Sequence, residues 1–172
     1  MDPGRLGSRI ARSLVRLLAR PERRAQTADP TGIPAPVVGY PGDYTEAVDI
    51  RYSPKPDGRP DPGEVVWGWI PYEDDHSRGK DRPALVIGRD GTWLLVLMLT
   101  SRDKDRDGGV DKRHEVWVDI GSGQWDRQQR PSDVRVDRIV RLAEHAVRRE
   151  GAILDRQRFD AVAAAVRAHR GM

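Results

Sequence analysis

Arg82 and Thr100 are the residues of this sequence whose types and spacing best suit chemistry on a phosphodiester. Arg82 stands just before one apolar run, PALVIG, and Thr100 directly follows the next, WLLVLML. The RDG between the runs is typical of a tight hairpin turn, which brings the start of one strand beside the end of the other. A guanidinium and a hydroxyl placed together can bind a phosphate and stabilise a phosphorane-like transition state. Both residue types also end strands for purely structural reasons, and spacing alone leaves that alternative open.

Five further polar residues lie close to this pair in the sequence and are expected to bind substrate. They are Ser101, Arg102, His76, Arg78 and Lys80. One role for His76 is to donate a proton to a leaving 5′-oxygen. The alternative is a loop histidine that is simply exposed to solvent.

Five short strands must position these residues, because runs of alternating or uninterrupted apolar residues are separated by turn-forming segments. The runs are EVVWGWI, RPALVIG, WLLVLML, EVWVDI and VRVDRIVRL. Asp155 can cap a following helix in which Phe159, Val162 and Val166 recur at helical spacing, while Glu150 and Gly151 are expected to form the turn before it. The pattern predicts a mainly β domain over residues 63–172, a small antiparallel barrel or half-open sheet with a C-terminal helix.

The upstream third of the chain has a different composition. Residues 1–20 place leucines and isoleucine on one face and arginines on the other, which predicts a basic amphipathic helix ended by Pro21. Residues 21–62 are rich in proline and glycine and are expected to be extended and irregular, with one short strand at AVDIRY. The helix could pack on the barrel, bind nucleic acid or lie on an anionic membrane surface.

Composition excludes several kinds of site. The chain has no cysteine and only four histidines, none spaced four residues from another, so a metal site built from these residues is not expected and no cofactor is implied. Residues 1–24 hold seven arginines and two acids, a net of +5, whereas the whole chain is +3, so the remainder sums to −2. A nucleic-acid surface on the domain must therefore come from local placement of arginines. No apolar run is long enough to span a bilayer, and we expect a soluble, cytoplasmic protein.

The ordered segments GEVVWGWIP, GKDRPALVIG, a strand ending in LTS, VRVDRIVRL and RREGAILDRQRFDAV resemble the PemK/MazF family of toxins from type II toxin–antitoxin systems, in an actinobacterial-type variant. The resemblance implies an SH3-like antiparallel barrel of the CcdB/MazF type and a homodimer. It also implies cleavage of single-stranded RNA without a metal ion and inhibition by a cognate antitoxin protein. Arg82 and Thr100 then match the family's catalytic pair, and Ser101 stands in the place of a second hydroxyl residue.

Two departures from the family pattern bear on function. Trp69 occupies a first strand that usually carries acidic residues, and Arg102 follows Ser101 where glutamine is common. Barrels of this class also include proteins that do not cleave RNA, such as gyrase poisons. The alternative is therefore a non-catalytic barrel that binds DNA or a protein partner, and a metal-dependent nuclease using Asp103 and Asp105 ranks third.

The segment GSGQWDRQQRP holds another candidate surface. Its Trp125 is the tryptophan expected to be exposed, where it could stack on a base. Arg127 and Arg130 could contact RNA phosphates or could simply belong to a solvated loop.

Overall fold

Runs of apolar residues become strands in the computed structural model of the protein, which describes residues 39–101 and 115–172. The strands are β1 Glu64–Pro71, β2 Gly79–Asp90, β3 Trp93–Ser101, β4 Trp117–Gly121, β5 Ser132–Arg135, β6 Val140–Ala143 and β7 Arg149–Ile153, and the helix is α1 Arg156–Arg170. They form an antiparallel sheet in the order β4-β5-β3-β2-β1-β7, with β6 pairing with β3. The predicted mainly β half-barrel with a C-terminal helix is confirmed.

Strand β3 lies at the centre of the sheet. One edge pairs with β2, and the other pairs with β6 over Trp93–Val96 and with β5 over Leu99–Ser101. The residues Leu94 to Leu97 are fully or almost fully buried. An uninterrupted apolar run is therefore required here, because both faces of the strand contact core.

The curled sheet has a hydrophobic cluster on each face. Leu85, Leu97 and Phe159 belong to the cluster on the side of α1. Val86 and Leu142 belong to a second cluster, inside the curl formed by β1, β2, β3 and β6. Side chains alternate along β2 and β3, so successive residues contribute to different clusters.

Helix α1 begins and ends as its sequence predicts. The Asp155 carboxylate accepts a hydrogen bond from the Arg158 backbone N–H at 3.0 Å, and Gly171 ends the helix with a φ of 68°. Phe159, Val162 and Val166 are buried on its inner face. Among the helices within the described residues, none combines the length and apolar character needed to cross a membrane.

The segment upstream of β1 packs on the domain without forming a strand at AVDIRY, contrary to the expectation. Its carbonyl groups are instead bound by side chains of α1, since Arg167 donates to Ile50 O at 3.0 Å and Arg170 donates to Tyr44 O at 2.7 Å. The Tyr52 ring lies 5.1 Å from Phe159, centroid to centroid. Residues 44–52 therefore extend the helix-side core although their backbone is irregular.

Two further expectations are corrected. The segment VRVDRIVRL forms two strands, β5 and β6, because the Asp137 carboxylate accepts a hydrogen bond from Val116 N and interrupts the pairing. Glu150 and Gly151 lie within β7, which pairs with β1, and do not form a turn. The predicted basic helix over residues 1–20, and Arg102, Asp103 and Asp105, lie outside the described residues.

Candidate active site

Strands β2 and β3 bring Arg82 and Thr100 to facing positions on one side of the sheet. The strands pair with Ala84 opposite Met98. Arg82 lies two residues before Ala84, Thr100 lies two residues after Met98, and both strands extend that far. Because side chains alternate, all four residues share the face inside the curl. The hairpin thus groups a guanidinium and a hydroxyl at the end of the sheet next to the β1–β2 loop, residues 72–78.

The Arg82 guanidinium has free donors. Arg82 is half-buried, and it makes no hydrogen bond or ion pair with any residue in the part of the chain that the structure describes. Its cross-strand partner in β1 is Gly68, which has no side chain to cover it. Burial lowers the pKa of Arg82 from its ordinary value of 12.5, and the interaction with Tyr72 opposes that shift. An arginine in this setting stays protonated at neutral pH and can bind an anion with its planar fork.

The β1–β2 loop adds cations beside Arg82. Tyr72 interacts electrostatically with Arg82, and the Arg78 guanidinium lies 5.7 Å from the centre of the Tyr72 ring. The Tyr72 N–H donates to Arg78 O at 2.8 Å, which closes the base of the loop. Lys80 is exposed on β2, two residues before Arg82 and therefore on the same face. Arg78, Lys80 and Arg82 form a local positive region, although the charges of residues 25–172 sum to −2.

His76 lies at the outer part of the same loop. It is exposed, and its ring contacts the Tyr40 ring edge-on, with centroids 4.9 Å apart and an interplanar angle of 75°. The histidine therefore has a defined neighbour from the segment upstream of the sheet. The role of His76 in proton transfer stays a prediction.

Thr100 and Ser101 point to opposite faces of the sheet. Thr100 is opposite Asp133 of β5 and lies inside the curl, whereas the next residue, Ser101, is opposite Ser132 and faces the other way. Within the described residues the Thr100 hydroxyl has no hydrogen-bond partner and is free to bind a ligand oxygen. Strand alternation therefore puts Thr100 on the same face of the sheet as Arg82 and Lys80, and Ser101 on the other face.

Arg135 is a buried structural residue near the candidate site that the sequence pattern did not lead us to expect. Its side chain is 8% exposed, and its guanidinium pairs with Asp137 at 2.7 Å, Glu73 at 2.9 Å and Glu115 at 3.3 Å. Burial alone would raise the pKa of Asp137, but the hydrogen bonds from Arg135 lower it, and the pKa of Arg135 is raised. Glu73 belongs to the β1–β2 loop, so Arg135 ties that loop to β5. The sequence does contain an indication of this pair, because Arg135 and Asp137 are charged residues two positions apart in an otherwise apolar strand pattern.

A second concave surface lies on the helix side of the sheet. It is a cleft of about 590 Å³ lined by Trp67, Asp126, Arg127, Gln128, Arg130 and Arg148. Arg130 pairs with Asp126 at 2.6 Å, and Arg148 pairs with Asp81. Arg127 has no hydrogen bond or ion pair with the described residues and is exposed. Both arginines of the DRQQR loop thus line a cleft, on the opposite face from Arg82.

Trp125 is buried, so the expectation that it is exposed is wrong. Only 2% of Trp125 is accessible. Its indole N–H donates to the Ser132 hydroxyl at 3.1 Å, and its carbonyl accepts from the Trp67 indole at 3.1 Å. A side chain at Gly123 would meet the Trp125 ring at 2.0 Å, so this glycine allows the ring to pack inward. The polar sequence around Trp125 gave no sign of this partner set.

Potential metal ligands do not cluster among the described residues. In that part of the chain no group of three or more histidine, aspartate or glutamate side chains could hold a metal ion. The aspartates at 103 and 105 lie outside it.

Comparison with known proteins identifies a family and a number of similar solved structures. Residues 61–169 match the family model described as PemK-like, MazF-like toxin of type II toxin-antitoxin system. The crystal structure of MazE-MazF (Form-II) from Deinococcus radiodurans is similar, with 20% sequence identity and a TM-score of 0.47, covering 67% of this chain and 99% of that one. A search of curated proteins gave no match.

Proposed function

This chain belongs to the PemK-like, MazF-like family of toxins of type II toxin-antitoxin systems, and from that premise we propose that it is an endoribonuclease that cleaves single-stranded RNA without a metal ion. The observation that supports the proposal is the half-buried Arg82 guanidinium, which has no hydrogen-bond or ion-pair partner among the described residues and lies on the same side of the sheet as Thr100. The positive residues Arg78 and Lys80 lie beside them and attract the RNA backbone.

The RNA supplies the nucleophile for the reaction. A ribose 2′-oxygen attacks the adjacent phosphorus and loses its proton, the 2′-oxygen–phosphorus bond forms, and the bond from phosphorus to the 5′-oxygen breaks. The 2′-proton passes to solvent water, and the 5′-oxygen takes up a proton from solvent or from His76, its predicted donor. The products are a 2′,3′-cyclic phosphate and a 5′-hydroxyl. The protein has to align these atoms and neutralise charge on the phosphoryl oxygens, and it does not need a nucleophile of its own.

Arg82 has the role of binding the phosphate and stabilising the negative charge of the phosphorane. Arginine is a poor base because it stays protonated, but its donors are fixed in a plane that matches two oxygens. The Thr100 hydroxyl donates to a non-bridging oxygen. Removing the Arg82 donors from a preorganised oxyanion site should lower kcat by about 100-fold to 1000-fold, whereas removing the neutral Thr100 hydroxyl should cost about tenfold.

Cleavage in the presence of EDTA tests the proposal. Purified protein is incubated with single-stranded RNA in excess EDTA, and the new RNA ends are mapped. We expect cleavage by the wild type and by Arg89→Ala, and none by Arg82→Ala. Arg89 is the matched control because it lies in the same strand but is already bound to Glu144 at 2.8 Å and Pro60 O at 2.7 Å.

Two results would contradict the proposal. Intact RNA after incubation with the wild type would show that the chain does not cleave RNA as proposed. Undiminished cleavage by Arg82→Ala would show that Arg82 does not stabilise the transition state. Growth inhibition that persists in Arg82→Ala, in which cleavage should be lost, would instead favour the non-catalytic barrel that binds DNA or a protein partner.

We also propose that the protein acts as a homodimer in the cytoplasm and is inhibited by a cognate antitoxin. The support is membership of a family of toxins from type II toxin-antitoxin systems. Size-exclusion chromatography with light scattering, with and without a co-expressed antitoxin, measures both associations. A monomer that cleaves RNA at full rate would count against the dimer.

A further inference from the structure

The β1–β2 loop is anchored at its base by a buried arginine. The Arg138 Nη1 donates to the carbonyl oxygen of Pro71, the last residue of β1, at 2.9 Å. The Arg138 side chain is 6% exposed and needs a counter-charge. That charge comes from Asp43, upstream of the sheet, whose Oδ2 accepts from Nε at 2.6 Å and whose Oδ1 accepts from Nη2 at 3.1 Å.

The same upstream segment also contacts the outer part of the loop. The Tyr40 hydroxyl donates to Asp43 Oδ1 at 2.5 Å, and the Tyr40 ring meets the His76 ring at 4.9 Å. Burial alone would raise the pKa of Asp43, but hydrogen bonds from Arg138 and Tyr40 lower it, so the carboxylate is charged at neutral pH. One chain of contacts thus joins Tyr40 and Asp43 to both the base and the outer part of the loop.

Residues 40–44, which we call the strap, are themselves fixed by β6. The Arg141 Nη1 donates to the carbonyl oxygens of Gly42 at 2.9 Å and Asp43 at 3.0 Å. Tyr44 forms an isolated backbone bridge with Ile139, and its ring lies 5.0 Å from the Arg141 guanidinium. The strap is therefore held on the sheet before it reaches the loop.

The loop's own hydrogen bonds do not set its orientation to the sheet. The backbone bond from Tyr72 to Arg78 and the bonds of Ser77 to the Asp75 carboxylate close the loop on itself. The external contact of Glu73 with Arg135 involves a glutamate that is 61% exposed, and such pairs are weak. The buried pair of Arg138 and Asp43 is the better-shielded link between loop and domain.

We propose that the strap is a positioning element of the RNA site, which fixes the β1–β2 loop through Arg138 and His76 so that Tyr72 and Arg78 contact RNA next to Arg82. The inference rests on the proposed function of that site. Asp43 and Tyr40 are positioning residues, because they act through other side chains. The strap lies outside the residues matched by the family model, which begins at residue 61, so this support is a feature of this chain's upstream segment.

Two measurements on the full chain test the strap. The first is binding of a 2′-O-methyl RNA oligonucleotide that contains every dinucleotide step and that cannot be cleaved, since it has no free 2′-hydroxyl. The second is hydrogen exchange of the backbone amides of residues 72–78, followed by mass spectrometry. The variants are Asp43→Ala, Tyr40→Ala and Tyr40→Phe. Asp49→Ala is the matched control, because Asp49 lies in the same segment and, among the described residues, its carboxylate pairs only with the exposed Arg51.

We expect Asp43→Ala and Tyr40→Ala to lower RNA affinity by about tenfold, a usual size for coupling between sites, and to accelerate exchange in the loop. Tyr40→Phe keeps the ring contact with His76 and should lose less affinity than Tyr40→Ala. Asp49→Ala should match the wild type in both measurements. Where Asp43→Ala does not fold, Asp43→Asn, which keeps the shape and loses the charge, replaces it.

The outcomes separate the strap from the catalytic proposal. Faster exchange together with weaker binding supports the strap even where the wild type leaves ordinary RNA intact, which would defeat only the proposed cleavage. Faster exchange with unchanged affinity overturns the inference, because the strap would then stabilise the loop without serving RNA binding. Unchanged exchange in Asp43→Ala and Tyr40→Ala overturns it as well.

Discussion

Arginines lie in two regions, which we call the mouth of the candidate site (Arg82) and the wall that supports the β1–β2 loop (Arg135 and Arg138). The arginines of the two regions have opposite surroundings. Arg82 at the mouth has no carboxylate partner among the described residues. Arg135 and Arg138 in the wall are 8% and 6% exposed, and both are paired with aspartates at 2.6–2.7 Å. All three guanidiniums lie near the same β1–β2 loop, so proximity to the site does not distinguish them.

The difference in pairing separates two uses of one residue type. An arginine whose donors are all bound holds structure together, since an unpaired buried charge would be costly. An arginine that is half-buried with free donors gains its partners only when an anion arrives. Substitution should therefore affect activity at the mouth and stability in the wall.

The largest expected effect is on activity at Arg82. Arg82→Ala should lower kcat for RNA cleavage by about 100-fold to 1000-fold, because a donor to the developing charge is lost. Its free energy of unfolding in urea should change by less than about 1 kcal/mol, since no partner is left unpaired. Arg82→Lys should recover only part of the rate, because lysine keeps the charge without the planar fork. A free energy of unfolding that falls by several kcal/mol in Arg82→Ala would show that Arg82 stabilises the fold as Arg135 and Arg138 do.

The next effect is on stability at Asp137. Asp137→Ala should lower the free energy of unfolding by about 3 kcal/mol, because it removes the closest partner of the buried Arg135. Asp74→Ala, an exposed aspartate in the β1–β2 loop, is the control and should differ from the wild type by less than about 0.5 kcal/mol. Urea unfolding followed by circular dichroism measures both. A wild-type stability for Asp137→Ala would show that the wall does not depend on this pair.

A smaller effect on activity is expected at Thr100. Thr100→Val keeps the shape and removes the hydroxyl, and it should lower kcat/KM by about tenfold, the value of one hydrogen bond. Thr100→Ser keeps the hydroxyl and should stay within about threefold of the wild type on the same scale. Steady-state cleavage of a labelled RNA gives both values. If valine and serine behave alike, the hydroxyl has no part in the reaction.

The smallest effect is the dependence of stability on acid. The pKa values of Asp43 and Asp137 are lowered below 3.8 in the folded protein, so each contributes stability above the unfolded pKa that is lost as pH falls through the folded one. The free energy of unfolding of the wild type should therefore decrease from pH 5 downward. Asp43→Asn should be less stable at neutral pH and show a shallower decrease. Parallel curves for the two proteins would mean that Asp43 has the same pKa folded and unfolded.

Local sequence pattern was enough to predict the hairpin that carries the candidate site. The long apolar run of β3, the Asp-Gly turn at Asp90 and the cap at Asp155 act over a few residues and follow general rules. The facing positions of Arg82 and Thr100 follow from that hairpin. Their chemical role is still a prediction, supported by the free donors of Arg82.

The support behind the site was not predictable by the same rules. Asp43 and Arg138 are 95 residues apart in the chain, and neither shows by its neighbours that the two will pair. Trp125 lies in a polar segment, yet it is buried. Its indole N–H donates to the Ser132 hydroxyl, and its ring packs against Gly123, which has no side chain. Such partners are chosen by tertiary packing, which overrides local composition.

The bond from Arg170 to the Tyr44 carbonyl spans 126 residues of chain, and the bond from Tyr52 to the Leu154 carbonyl spans 102. A ribosome makes the upstream segment long before the helix that receives it, and contacts between distant residues form late in folding. The strap is thus held by β6 through Arg141 and also by α1, the most C-terminal of the described elements, so its attachment is complete only when α1 has docked.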